Sequence, residues 1–319
     1  MLPYRILMLS GIGPSDHLQQ YGIPVHVDAP DVGQHFADHF QLVLNWRLRD
    51  PSKGYAVGSD NPLFSEPQYG TGSHISWVTS TTGPRSGLAA AVDADDASDP
   101  NGGGDGAGDR QQSHYLLRTT QATMETLIDY ESDPSVPGDH DGDTMIAASA
   151  NPPDGSHIAS VMVGLKPTSR GTVRLRSARI ADPPLIDPNY LATAVDRWAW
   201  REGVRGVVAL MTAPNTTLGR GVVDGETPPP ENAGGPALTT SSTDEEIEAR
   251  VRAAGYNTYH PMGSCAMGRV VDPADLRVVG VEGLRVVDAS VIPIAIGAHT
   301  QAPVYALAER AAAMIAGRA

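Results

Sequence analysis

Two histidines in the C-terminal quarter are of the residue type on which a proton transfer is built. His260 stands in Asn257-Thr258-Tyr259-His260-Pro261, at the mouth of the loop Met262-Gly263-Ser264-Cys265-Ala266-Met267-Gly268; His299 stands in Gly297-Ala298-His299-Thr300-Gln301-Ala302-Pro303. An imidazole titrates near working pH, so one ring can take a proton from an alcohol while a second donor holds the alkoxide. Both lie on loops between ordered runs, where catalytic groups tend to be placed. The chain has ten histidines, and a capping or core role accounts for a loop histidine equally well, so composition alone does not single out the pair.

The elements that must position these loops are legible in part. Residues 276–279 and 284–288 read as two short strands, and 302–315 as a closing amphipathic helix with His299 just before it. Upstream, Thr243-Asp244-Glu245-Glu246 is a capping box whose helix should end at Gly255. A helix over 192–211 carries Val195, Trp198, Val204, Val208 and Met211 at core spacing. Residues 171–177 alternate, with Val173 and Leu175 on one face and Arg174 and Arg176 on the other, as in a half-buried strand; 159–165 is β-rich and 182–189 reads as irregular. Near the start, 6–9 is apolar and breaks at Ser10-Gly11-Ile12-Gly13-Pro14. A short helix follows up to Gly22, and 23–27 alternates like a strand.

Between 50 and 143 the pattern weakens. Residues 83–113 hold Asp93, Asp95, Asp96, Asp99, Asp105 and Asp109 with Gly102-Gly103-Gly104, and they predict a structureless insertion. Gly102-x-Gly104-x-x-Ala107 satisfies a permissive dinucleotide pattern, but neither strand nor helix flanks it to present a phosphate site. The aspartates miss the calcium-loop spacing, because Ala97 takes the fifth position from Asp93, and no metal site is expected.

Length and composition bound the rest. The chain has 319 residues, more than single cores of ~250–300 residues usually organise, so two lobes are expected. With 23 Lys and Arg against 37 Asp and Glu, its formal charge of -14 repels a phosphate backbone, and nucleic acid is excluded as a partner. The one cysteine, Cys265, rules out a disulfide framework. No apolar run approaches the ~20 residues of a membrane span and no leader is legible, so a soluble protein of unknown location is expected.

Several stretches, in this order, resemble the glucose-methanol-choline family of FAD-dependent oxidoreductases. They are Leu7-Met8-Leu9-Ser10-Gly11-Ile12-Gly13-Pro14; Gly33-Gln34 followed by Asp38-His39; Ser169-Arg170-Gly171-Thr172-Val173-Arg174 with Pro184-Leu185-Ile186-Asp187-Pro188; Tyr259-His260-Pro261; and Gly283-Leu284-Arg285-Val286-Val287-Asp288-Ala289-Ser290 through His299. The resemblance implies FAD as cofactor, a small-molecule alcohol as substrate, and oxidation of a CH-OH group. His260 would be the base near flavin N5 and His299 the partner of the alcohol or alkoxide. Asp288 and Ala289 would meet the ribityl and pyrophosphate region, and Thr300 and Gln301 the pyrimidine edge. The family also includes lyases and cyclases that hold FAD without redox turnover.

The fold expected is α+β with an α/β remnant. An antiparallel substrate sheet flanked by helices would occupy 36–255, and 1–35 with 256–319 would form an incomplete Rossmann-like FAD lobe. The family's Gly-x-Gly-x-x-Gly turn has no counterpart in these residues, and Pro3-Tyr4-Arg5 stands where relatives show Ser-Pro-Gln. The expectation is therefore that this chain alone binds FAD poorly, either as a truncated, non-catalytic relic or with a partner chain that completes the lobe.

Overall fold

The computed structural model describes residues 3–65, 75–98, 110–131, 154–229 and 235–317. Helix α1 (Pro3–Leu9) leads into strand β1 (Ile12–Gly13), helix α2 (Ser15–Gln20) and strand β2 (Val27–Asp28). β1 and β2 run parallel, with Ile12 opposite Val27. Strand β3 (Phe40–Leu48) follows, then α3 (Pro62–Ser65), β4 (Ile75–Thr81), α4 (Arg85–Ser98), α5 (Arg110–Arg118), β5 (Met124–Asp129) and β6 (His157–Gly164). Next come β7 (Thr172–Arg174), β8 (Leu185–Asp187), α6 (Ala194–Thr212), α7 (Thr217–Gly221), β9 (Val223–Thr227), α8 (Asp244–Ala254), β10 (Tyr256–Asn257) and α9 (Gln301–Ile315).

The central element is a six-stranded sheet in the order β10-β3-β6-β5-β4, with β9 also on β3. Its pairings are antiparallel throughout, so the expected mixed fold with an antiparallel sheet is what the chain adopts. β3 owes its place to strict alternation: Phe40, Leu42, Leu44, Trp46 and Leu48 are buried on one face. That face packs on α6 through Trp200, Val204, Val208 and Met211, together with Met124, Ile128 and Met162 of the neighbouring strands. Full burial of each such side chain stabilises the fold by about 1.5–3 kcal/mol. The Trp46 indole N–H donates to Ser160 Oγ at 2.8 Å, which satisfies both groups inside the sheet.

A separate core joins Tyr4, Leu7, Met8, Leu18 and Val32 to Val173 and Leu175, and to Cys265, Val271, Leu276, Val291 and Ala311. The first and last parts of the chain thus share one interior.

The expected helices are found at α6, at α9 and at α8, whose capping box is complete on Thr243 and Glu246 and whose end is at Gly255. Four expectations need correcting. Over 83–113, the stretch Arg85–Ser98 is helical, not structureless. Its Leu88-Ala89-Ala90-Ala91-Val92 core has high helix propensity and buries Leu88, Ala91 and Val92 against Val195 and Trp198. Asp95, counted as a disorder signal, accepts from the backbone N–H groups of Ala194 at 2.6 Å and Val195 at 3.1 Å, neutralising donors at the start of α6. Residues 110–113 open α5 and are helical as well, and 99–109, including Gly102-x-Gly104-x-x-Ala107, lie outside the described residues.

The second correction is to 23–27, of which only Val27 lies in a strand. The third is that residues 276–279 and 284–288 meet through one isolated bridge, Arg277 to Arg285, with a second from Val278 to Val271, and form no continuous strands. The fourth is to 182–189, which contains β8, paired with β7 from Thr172–Asp187 to Arg174–Leu185. In all three the backbone pairing decides the structure, and local alternation does not report it.

Candidate active site

The His260 loop is tied down on both sides. Before it, Thr258 N–H donates to the His39 carbonyl at 2.9 Å; after it, Ala37 and Met262 exchange backbone hydrogen bonds of 3.0 and 2.8 Å. Tyr259 turns through the left-handed region at φ 58°, and Gly263 does so at φ 86°. Gly263 has no room for a side chain, since a Cβ there would lie 2.2 Å from the His35 carbonyl oxygen. Cys265, buried behind the loop, anchors it to the next segment through its N–H and the Ser290 carbonyl at 2.9 Å.

Asp38 and His39 hold His260 itself. The Asp38 carboxylate accepts from the His260 backbone N–H at 2.8 Å, and Nδ1 of His39 lies 3.0 Å from Nδ1 of His260, the rings meeting edge to face. His299 completes the group: its ring centroid is 5.0 Å from that of His260, again edge to face. Nε2 of His299 lies 2.9 Å from Oε1 of Glu125. Glu125 gets there by strand alternation, since Met124, Thr126 and Ile128 are buried on the helix side of β5 and Glu125 projects from the opposite face.

Burial sets the electrostatics. Desolvation pushes Asp38 up to about 7, against hydrogen bonds from the His260 and His39 backbones and the influence of Tyr190, whose buried hydroxyl faces Asp38 without a full hydrogen bond. Desolvation holds His39 down to about 4, helped by His260, His299 and Lys166. His260 is lowered too, by burial and then by His299, with Glu125 acting the other way. Burial also lowers Lys166, which donates to the Ala295 carbonyl at 3.1 Å. His39 and His260 are therefore neutral imidazoles near pH 7, the form in which such a ring accepts a proton.

Of the residues singled out in the sequence, His260, His299 and Thr300 lie close together. Thr300 is buried at the N-cap of α9 and makes no side-chain cap, so the first N–H groups of that helix have no side-chain partner from it; Gln301 opens the helix, exposed. Asp288 caps a 3-10 turn (Ala289–Val291), accepting from Ser290 N–H at 2.9 Å and from its hydroxyl, with Ala289 half-buried beside it. The positive end of α9, where Gln301 and Ala302 carry N–H groups and Pro303 does not, suits an electron-rich ring edge, while the Asp288 carboxylate is committed to its own turn. Among the described residues no cluster of ligating side chains suits a metal ion.

Glu125, Lys166 and the packing role of His39 have no local signal. Asp38-His39 is visible in the sequence only as part of a turn, and Glu125 sits in the stretch where the pattern fades. A surface concavity walled by Pro51, Lys53, Gly58, Asn61 and Asp154 lies on turns away from the histidines and holds no comparable cluster.

Known proteins align with the same region. The GMC oxidoreductase family model matches residues 167–308. The GMC-type oxidoreductase acuG of Aspergillus aculeatus is 39% identical over 98% of this chain and 54% of its own length. Mitochondrial choline dehydrogenase of Mus musculus is 31% identical over 98% and 46%. Among solved structures, formate oxidase of Aspergillus oryzae superposes with a TM-score of 0.72 at 27% identity, covering 98% of this chain and 52% of that one. A fungal aryl-alcohol oxidase superposes with a TM-score of 0.68 at 27% identity, over 98% and 52%. The chain spans about half the length of the curated relatives it matches. Residues 167–308, which hold His260 and His299 and the loops around them, thus match the GMC oxidoreductase family, and nearly the whole chain is similar to its members.

Proposed function

We propose that this chain carries the substrate-facing part of an FAD-dependent alcohol oxidoreductase site, with His260 as the base and His299 as the partner of the alcohol oxygen. The observation behind this is the edge-to-face meeting of His260 and His299, at 5.0 Å between centroids, beside the start of α9. His260 is held neutral and can take the hydroxyl proton; His299, on the exposed side with Nε2 turned to Glu125, can donate through Nδ1 to the alkoxide that results when both its ring nitrogens carry protons. Bound FAD would supply the hydride acceptor. Thr300 and Gln301, at the start of α9, would hold its electron-rich edge, and the turn at Asp288 and Ala289 would line its chain.

In this proposal residues 1–35 and 256–319 belong to the flavin lobe and 36–255 to the substrate side. A further segment or partner chain would complete that lobe. The surface of α9 supports this: it is apolar around most of its circumference, yet only Ala311 is buried and Tyr305 is 67% exposed. An apolar helix of that kind ordinarily has cover on more than one side.

Two measurements test the proposal. Purified alone, the chain should show no stoichiometric flavin absorbance and should gain it when co-produced with a chain bearing a Gly-x-Gly-x-x-Gly turn; one flavin per chain without help would refute the partner requirement. In the flavin-loaded protein, His260→Gln should slow anaerobic flavin reduction by an alcohol by about 10²–10⁴-fold. Unchanged reduction would remove His260 from the chemistry.

A further inference from the structure

We propose that His39 is a positioning residue that fixes His260 in the tautomer with its proton on Nδ1, leaving the lone pair on Nε2. This rests on the role of His260 given above and says how the fold prepares it. Two Nδ1 atoms 3.0 Å apart must be one N–H and one lone pair, because neither two protons nor two lone pairs can share that space. Which ring donates decides whether His260 can be a base.

The surroundings of His39 choose. Its ring is fully buried at 0% exposure, so water does not arbitrate. Nε2 of His39 has no partner at full hydrogen-bond length among the described residues, and the backbone of Ile296, acting as an acceptor, is the group it faces. If His39 donated through Nδ1, its Nε2 lone pair would be buried against that acceptor and His260 would carry its proton on Nε2. With the proton of His39 on Nε2, the N–H faces the Ile296 carbonyl and Nδ1 is free to accept from His260. No protein group engages Nε2 of His260 among the described residues, which leaves it to receive a substrate proton. The Asp38 clasp on the His260 backbone and the Thr258 bond to the His39 carbonyl keep both rings at this separation. The charged or titratable groups facing the pair are Asp38, Glu125, Lys166 and His299.

The tautomer can be read without flavin or turnover. In the full chain labelled with ¹⁵N-histidine, long-range ¹H–¹⁵N spectra report which ring nitrogen is protonated, and His260→Gln assigns the His260 signals. The expected pattern at neutral pH is a protonated Nδ1 on His260 and a protonated Nε2 on His39. His39→Leu should switch His260 to the Nε2-protonated form. His39→Asn, whose amide oxygen can stand where Nδ1 was, should restore protonated Nδ1. A wild-type His260 protonated on Nε2, or a His39→Leu protein that keeps Nδ1 protonated, would overturn the proposal. Should the leucine variant unfold, the wild-type and asparagine spectra still decide. Normal flavin reduction by His260→Gln would end the catalytic reading while leaving the tautomer result in place, so the two failures are distinguishable.

Discussion

His299 and Glu125 face each other with 2.9 Å between Nε2 and Oε1, and this contact links the C-terminal return of the chain to β5, next to the edge strand β4 of the six-stranded sheet. The His299 side chain is 55% exposed and that of Glu125 12%, so the pair is partly screened and its share of global stability is small, within about 1 kcal/mol. Its effect should be local. Glu125→Ala is expected to leave the denaturation midpoint nearly unchanged while backbone hydrogen exchange across 292–300 rises on the order of fivefold, the kinetic equivalent of about 1 kcal/mol. Exchange there at the wild-type rate would show that the contact holds nothing in place.

Asp38 makes stability depend on pH in a direction opposite to that of most carboxylates. Its pKa in the fold, about 7, lies above the ordinary 3.8, so the folded chain binds the proton more tightly than the unfolded one. Stability from this group is complete below about pH 4 and falls as pH rises toward 7, by up to about 4 kcal/mol in all. His39, held at about 4 against an ordinary 6.5, has the opposite slope between those values and flattens the wild-type curve there. Urea denaturation of Asp38→Asn should show the variant gaining on the wild type steadily from pH 4 to pH 7. A difference independent of pH would contradict this account.

Glu226 and Arg250 form an ion pair with both side chains only 1% exposed, and Glu226 also accepts from the Leu238 N–H. Burial raises the Glu226 pKa, and Arg250 works against that rise. Removing one partner leaves the other charge buried. Arg250→Met should therefore cost about 3–5 kcal/mol, whereas Arg250→Met with Glu226→Leu should recover most of the loss. Thermal unfolding of the single and double variants checks this; a double variant as weak as the single would locate the damage in packing instead.

Gly263→Ala meets two obstacles, a φ of 86° and a Cβ position 2.2 Å from a backbone oxygen. The His35 carbonyl is backbone and cannot swing aside, so the His260 loop has to shift. A loss of at least about 1–3 kcal/mol is expected, with displaced His260 ring signals in the ¹⁵N spectra. Wild-type stability and unmoved signals would show that the loop has slack.

Local chemistry was enough to read several parts of this protein. The Thr243 capping box, the apolar stripe of α6 and the closing helix α9 are stated by residues within a few turns of one another, because a helix bonds to its own chain. The loops bearing His260 and His299 were legible for a similar reason, as short motifs. Tertiary structure alone decided the rest. β4 and β5 lie in a stretch where the sequence pattern weakens, and they become strands because β6 and each other supply their hydrogen bonds. The same pairing carries Glu125 to His299, and the bridge from Ala37 to Met262 carries Asp38 and His39 to His260. Residue type made His260 a candidate base; its neutrality, its partner and its neighbour across the cleft come from burial and from contacts more than a hundred residues apart in sequence, which no local pattern encodes.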